Sequence, residues 1–361
     1  MTEATIDLSR INANYTLLSK RYSSYCVLKA DAYGHGLLPV FRSLYRVGAR
    51  HFALTDAADA VRLLSERSDA EILLLQMPPR TYFDTLLSLG ATFSLSDYAS
   101  AEELSRFAAR RNIRAKCHVA FNSGMNRLGF SLSPDDETAT FHAVSHLLRL
   151  PMLSVRGFYS HLAFPPTEAA SRKAKTRFSS AVSYLMKQYA EKATPAVHLY
   201  ASGGWSLSPP DVPFCRPFLR TGLALYGYGA SGVLPAMALY TRVLGGFTLR
   251  KGERVGYGGT YRAKSDLYTA VLSLGYADGL PRLHNGMTFY AEDKTPLCVI
   301  GRVSMNHTVV KDITKPRLSR EDRVTVFDRD GTTLPSLAED SAKIPYEILL
   351  MGSRAVRTYI E

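Results

Sequence analysis

The sequence predicts an α/β protein: an N-terminal (β/α)8 barrel of the TIM type followed by a mostly-β domain. Eight short apolar runs recur across roughly residues 20–235, each followed by a helical stretch. No G-x-G-x-x-G motif follows the first run, which weighs against an open, doubly wound sheet. After about Gly229 the pattern changes to short alternating or apolar runs split by glycine turns. The expected division is 9–230 for the barrel and 231–361 for the β domain, with a strand in 1–8 able to join the second.

Taken in order, Ala4–Leu8 alternates as a strand, and Ser9 caps a helical pattern through Ile11, Tyr15, Leu17 and Leu18. Ser23–Leu28 is the first barrel strand, an apolar run bounded by polar residues, and Lys29 follows directly at its end. The other seven are His51–Leu54, Glu71–Gln76, Thr92–Leu95, Ala115–Phe121, Val155–His161, Ala196–Tyr200 and Pro217–Leu223. Amphipathic runs such as Ala57–Leu64, Tyr98–Ala109, Thr138–Leu148 and Glu168–Tyr189 lie between them. In the second domain, strands are expected at Leu239–Leu244, Phe247–Arg250, Tyr268–Leu274, Met287–Ala291, Pro296–Ile300, His307–Val310 and Arg323–Phe327. Lys251-Gly252, Asn285-Gly286 and Asp330-Gly331 are turn dipeptides, and a last helix is expected around Pro345–Leu350.

Composition narrows the class. The chain has 361 residues, 46% apolar and 21% charged, as in a globular enzyme, and no apolar run nears the roughly 20 residues of a membrane span. Met1–Thr5 carries no basic stretch leading into an apolar one, so a cytoplasmic protein is expected. Cys26, Cys117, Cys215 and Cys298 are dispersed singly, which fits free thiols and no metal site. The net charge of +12 gathers mildly at Arg110–Lys116 and Arg172–Arg177, without interleaved aromatics; a solvated basic face, not a nucleic-acid surface, is the reading.

Barrel chemistry sits at the C-terminal ends of the strands. Those ends carry Lys29, the run Asn122-Ser123-Gly124-Met125-Asn126-Arg127-Leu128-Gly129, Ser160-His161, Ala201-Ser202-Gly203-Gly204 and Arg220-Thr221-Gly222. Singly, each has a plain structural reading. Together, glycine-rich loops after strands seven and eight suit a phosphate, because small residues let backbone N–H groups approach an anion. A phosphate beside a strand-end lysine suggests pyridoxal 5'-phosphate, whose aldehyde an amine can hold as an imine.

Lys29-Ala30-Asp31-Ala32-Tyr33-Gly34-His35-Gly36 resembles the cofactor-lysine motif of the alanine racemase family, the fold-type III pyridoxal-phosphate enzymes. The resemblance continues through 124–129, 157–163 around His161, 220–227, 256–260, 275–279, 301–305 and 354–359, in order along nearly the whole chain. It implies an isomerase interconverting L- and D-alanine on a pyridoxal-phosphate aldimine, as a homodimer with shared sites that feeds D-amino acid into cell wall precursors. Lys29 would be one catalytic base and Tyr257 of the partner subunit the other. Lys29, Tyr33, His161, Ser202, Arg220, Gly222, Leu223 and Tyr359 would hold the cofactor. Arg127 and Met305 would take the substrate carboxylate, and Tyr276, Arg282 and Arg302 would line the access route. Racemisation removes a proton from Cα on one face and returns it on the other, so two bases must flank one carbon. Arginine almost never gives up its proton, so Arg220 would leave the pyridine nitrogen unprotonated.

The chain departs from the family pattern at four places. Ala120 stands where the family has a lysine, often carbamylated, seven residues before the carboxylate-binding arginine. Asn306 replaces the usual aspartate after Met305, and Asn122 and Ala201 replace an aspartate and an asparagine. The side-chain preference therefore stays open between alanine, serine and a broader set. A pyridoxal-phosphate lyase of the same fold is the enzymatic alternative, and a cofactor carrier or regulator the non-enzymatic one.

Overall fold

The computed structural model describes residues 2–163, 167–188, 194–282, 286–312 and 318–361. Eight parallel strands close into a barrel: β2 (Ser23–Val27), β3 (His51–Leu54), β4 (Glu71–Leu74), β5 (Thr92–Leu95), β6 (Ala115–Asn122), β8 (Leu153–Ser160), β9 (Ala196–His198) and β10 (Arg216–Thr221). A two-residue strand, β7 (Phe130–Ser131), lies beside the end of β6. Pairing of β10 with β2, Arg220 opposite Tyr25, completes the ring. Their buried runs fill the barrel with side chains, as parallel strands covered on both faces require.

Helices follow the expected repeat for six units only. After β9 and β10 the chain makes short 3-10 turns, Ser202–Gly204 and Leu223–Tyr226. Pro209, Pro210 and Pro213 between β9 and β10 explain the first, since proline lacks the N–H that a helix interior needs. The helix Leu8–Ser19 from the start of the chain packs against the second turn, where the buried Asn14 amide donates to the Leu225 carbonyl at 2.9 Å. Among the described residues no helix is long and apolar enough to cross a membrane.

The second domain begins with β11 (Met237–Leu249), one 13-residue strand where the sequence suggested two. Gly245-Gly246 is the reason: it permits a register shift between Val243 and Gly245 against the neighbouring strand rather than a turn. β12 (Arg254–Val255) and β13 (Tyr261–Arg262) form a small hairpin. β14 (Leu267–Leu272), β15 (Thr288–Ala291), β16 (Pro296–Val299), β17 (Thr308–Asp312) and β18 (Arg323–Phe327) join β11 in a closed six-stranded ring. The helix Thr333–Asp340, absent from the sequence reading, precedes the expected one at Pro345–Leu349. Asn285 of the expected Asn285-Gly286 turn lies outside the described residues. The N-terminal strand β1 (Glu3–Asp7) joins this sheet, antiparallel to β11 and parallel to the last strand, β19 (Val356–Ile360).

The domains meet at the turn that follows Lys29. Ala30, Asp31, Ala32 and Tyr33 all have φ of 53–54°, one turn of left-handed backbone without a glycine in it. L-residues resist this conformation by about 1–2 kcal/mol each, so the surroundings must hold it. Asp31 accepts from the Leu37 backbone N–H at 2.8 Å and pairs with Arg357 of β19. The buried His35 Nδ1 donates to the Ala32 and Tyr33 carbonyls at 3.1 and 3.0 Å. Gly34, at φ +82°, lies against the Leu349 carbonyl, where a Cβ would come within 2.3 Å. Gly34→Ala should therefore cost about 2–4 kcal/mol of stability from strain and overlap together. The shift in urea midpoint checks this, and an unchanged midpoint would show that the turn does not depend on that close approach.

Candidate functional site

The C-terminal ends of the barrel strands open into a cavity of about 530 Å³. Its lining brings together Lys29, Tyr33, Arg127, His161, Ser202, Arg220, Gly222 and Leu223, which are eight of the residues singled out from sequence. Three are cations, and no carboxylate lines the cavity among the described residues. Burial, then the charges of Arg127 and Arg220, lower the Lys29 pKa from the ordinary lysine value. That is the setting in which an amine becomes a nucleophile.

Arg220 is the anchor. It is only 4% exposed, and no anion pairs with it among the described residues. Its Nη1 donates to the His198 carbonyl and to His198 Nδ1, both at 2.7 Å. Its Nη2 donates to the Ser160 carbonyl at 2.7 Å, the Leu199 carbonyl at 3.3 Å and His161 Nδ1 at 3.1 Å. Burial and Arg127 bring its pKa down to about 10, still a cation at neutral pH.

Arginine can only donate, and this sets the imidazoles behind it. His198 must accept at Nδ1 and carry its proton on Nε2, which faces His118 Nδ1 at 2.8 Å. His118 Nε2 then points to the Tyr25 hydroxyl at 3.5 Å, and that hydroxyl donates to Glu71. A one-way relay thus runs from the mouth down through the barrel. Burial foremost lowers the pKa of His118 to about 4 and that of His198 well below the usual value, so both are neutral. His161 is pushed down to about 3 by burial and then by Arg220, Arg127 and Lys29.

On the strand end next to Arg220, Ser202 Oγ accepts from the backbone N–H groups of Gly222 and Ala224 at 3.1 and 3.0 Å, leaving its proton free to donate into the cavity. The Tyr33 hydroxyl lies so close to Gly222 that a Cβ there would approach it to 2.5 Å. Two hydroxyls and a glycine turn, close to cations and without a carboxylate, form a donor cradle suited to a phosphate. The donor set fits pyridoxal phosphate.

Other candidates lie elsewhere. Tyr359 does not line the cavity; its hydroxyl lies against Gly36, behind the left-handed turn. Tyr346 lines the mouth instead, its ring 5.9 Å from that of Tyr33. Tyr257 (65% exposed) and Met305 (56% exposed) stand on β-domain loops outside the lining. The Gly256–Gly259 loop that carries Tyr257 packs on Arg302. The Met305 carbonyl accepts from the Ala277 N–H at 2.9 Å, and the Arg282 guanidinium lies 6.0 Å from the Tyr276 ring. Arg127 is exposed and forms no ion pair among the described residues, while Ala120 lines the cavity with it. The sequence reading missed Thr55, Gln76 and Tyr159, which line the same wall from the ends of β3, β4 and β8. Strand-end position alone could have drawn attention to them. No cluster of three or more His, Cys, Asp or Glu side chains able to hold a metal occurs among the described residues.

A closed (β/α)8 barrel with a lysine–arginine cavity at its strand ends, fused to a β domain, has the architecture of an enzyme. Residues 6–230 match the family model described as alanine racemase, N-terminal domain, and residues 236–360 that of its C-terminal domain. Alanine racemases from Thermobifida fusca and Limosilactobacillus fermentum are 30% and 29% identical to the chain. Each comparison covers 99% of this chain, and 97% and 98% of the relative, respectively. The solved alanine racemase of Streptomyces coelicolor is 25% identical with a TM-score of 0.89, covering 100% of this chain and 98% of that one. One from Bartonella henselae, solved with covalently bound pyridoxal phosphate, is 25% identical with a TM-score of 0.84 and covers 99% of both chains. The chain belongs to the alanine racemase family of isomerases.

His35 and His118, each held near 4, should make stability pH-dependent. An unfolded imidazole titrates near 6.5, so between that value and about 4 the unfolded chain takes up protons that the fold refuses. Stability is full above pH 6.5 and is lost on acidification, by about 1.4 kcal/mol per group at pH 5.5. Urea midpoints at pH 7.5 and 5.5 test this; equal values would mean that these rings are protonated in the fold.

Proposed function

We propose that this chain is a pyridoxal-phosphate-dependent alanine racemase that works as a homodimer. The observation that carries the reading is the cationic, carboxylate-free cavity around Lys29 in a chain of this family. Tyr33, Ser202, Gly222 and Leu223 would hold the cofactor phosphate, Arg220 would face the ring nitrogen with His161 beside it, and Lys29 would be the covalent attachment. Tyr359 would act from behind, bracing the turn at Gly36. Bound there, pyridoxal phosphate supplies the electron sink that acidifies the substrate's Cα proton.

The rest falls to this chain's own side chains. Lys29 Nζ, its pKa lowered by burial and then by Arg127 and Arg220, takes or returns the Cα proton on one face. The partner subunit's Tyr257 serves the other face. Its exposure, and its place outside the cavity of its own chain, support donation across a dimer. Arg127 binds the substrate carboxylate with the partner subunit's Met305 backbone, while Tyr276, Arg282 and Arg302 line the way in. Arg220, a cation that only donates, would leave the ring nitrogen of a bound cofactor unprotonated. A cytoplasmic place, supplying D-alanine to cell wall precursors, goes with this activity.

Ala120 and Asn306 favour a second reading, a racemase also taking serine or other small amino acids. A substrate panel in deuterated water separates the readings: deuterium at Cα with inversion marks racemisation, pyruvate release marks a lyase, and neither marks a carrier. In the same assay, Tyr257→Phe should lose exchange from one enantiomer by about 10²–10⁴-fold and spare the other. Equal loss from both would sink the two-base assignment.

Shared sites make a separate prediction. Lys29→Ala and Tyr257→Phe should each be unable to racemise, yet mixing them should restore activity. Random exchange makes half the dimers mixed, with one intact site of two, so recovery should approach about a quarter of the unmutated rate. No recovery, despite proven subunit exchange, would place both bases in one chain.

A further inference from the structure

We propose that the opposite end of the barrel holds a second binding site, for a small dianionic oxyanion of the phosphate class. A cavity of about 240 Å³ opens there among the first residues of the strands: His51 of β3, Glu71 of β4, Thr92 of β5, Lys116 of β6 and Arg216 of β10, with Arg156 of β8 beside them. This end of a barrel ordinarily serves stability rather than chemistry. Here it gathers three cations that form no ion pair among the described residues. The one carboxylate among the described lining residues already has partners: Glu71 accepts from the Tyr25 hydroxyl and lies 3.7 Å from His51 Nε2.

The charge balance specifies the ligand. Among the described lining residues, Lys116, Arg156 and Arg216 set three positive charges against one negative at Glu71, leaving two. Burial foremost, opposed by Glu71 and reinforced by Arg216, lowers the His51 pKa, so that ring adds no charge at neutral pH. A dianion closes the balance.

Two orphaned donors point the same way. Thr92 is 1% exposed and its Oγ1 has no hydrogen-bond partner, although nearly every buried hydroxyl has one. Arg156 Nε is likewise buried and without a partner. A guanidinium edge, a hydroxyl and an ammonium around one small cavity are the donors that a tetrahedral oxyanion accepts from at once. The described linings of the mouth and this floor share no residue, and the relay from Arg220 ends at Tyr25 and Glu71 here.

The test uses the cofactor-loaded protein, in which the cofactor's own phosphate fills the cradle at the mouth. Inorganic phosphate is titrated by equilibrium dialysis at constant ionic strength in chloride, with sulfate and acetate as further arms. One saturable phosphate per chain is expected, with sulfate competing and acetate not. Arg156→Gln should weaken it at least tenfold and Thr92→Val several-fold. Arg177→Gln, in the other basic cluster, should leave it unchanged. Uptake that never saturates, or that falls equally in Arg177→Gln, overturns the proposal, since both describe a general ion atmosphere.

A second readout does not depend on the variants folding. Bound phosphate adds negative charge among Glu71, Lys116, Arg156 and Arg216 around His51, so the His51 imidazole pKa should rise. Histidine NMR in phosphate against chloride shows this, and an unmoved pKa counts against the site. Neither readout depends on racemisation at the mouth.

Discussion

The organisation of this molecule depends on one buried guanidinium. Arg220 sits almost without solvent, and no carboxylate of the described residues stabilises it. Burying such a charge is costly unless hydrogen bonds replace its water. Here three carbonyls and two imidazoles do so, all from the ends of β8 and β9 or just beyond them. β9 stops at His198, and the His198 and Leu199 carbonyls accept from the Arg220 side chain while the Tyr200 carbonyl accepts from its backbone N–H at 3.1 Å. The early strand end that sequence patterning placed two residues later is therefore what cradles Arg220.

A second constraint follows. Around one cavity with Arg127 and Arg220, Lys29 has its pKa lowered by burial first and by those two charges second. Holding that amine in place takes a left-handed turn that no local preference supports. The β domain closes on this turn, with Arg357 paired to Asp31 and with Tyr359 and the Leu349 carbonyl set close against Gly36 and Gly34. The C-terminal domain is thus part of the lysine's support even within one chain. This joins the fold to the chemistry more tightly than a barrel with an appendage would suggest.

Much of this was legible in the sequence, and the rest was not for definable reasons. His51–Leu54, Thr92–Leu95 and Arg323–Phe327 read as strands to the residue, because short apolar or alternating runs between polar breaks leave little choice of register. The lysine, the arginines and the glycine turns could be gathered at one mouth because a barrel puts all strand ends on one face. The left-handed turn could not be read, since Ala-Asp-Ala-Tyr carries no glycine to announce positive φ, and part of what holds it, the Arg357 pair with Asp31, comes from a residue more than 300 positions away. The Arg220–Glu71 relay was equally hidden. Tyr25, His118 and His198 look like ordinary core residues of three separate strands until closure of the ring brings them together. Ala120 was noticed, and it lines the cavity with Arg127, which stands exposed without an ion pair among the described residues.

The polarity of that relay explains why the barrel can keep histidines at its centre. Arg220 can only donate, and an ionised carboxylate at Glu71 can only accept, so the two ends permit one arrangement of the protons between them. Both imidazoles must be neutral and protonated on Nε2, and Tyr25 must keep its phenol proton, in line with its strongly raised pKa. An extra proton on His198 would sit on Nδ1, facing the Arg220 guanidinium donor to donor. One on His118 would face the N–H of His198 in the same way. Each link therefore makes charging of the next unfavourable, beyond what burial alone does. Along the relay, positive charge stays on Arg220 at the mouth, where an anionic group can use it, and negative charge stays on Glu71 at the other end.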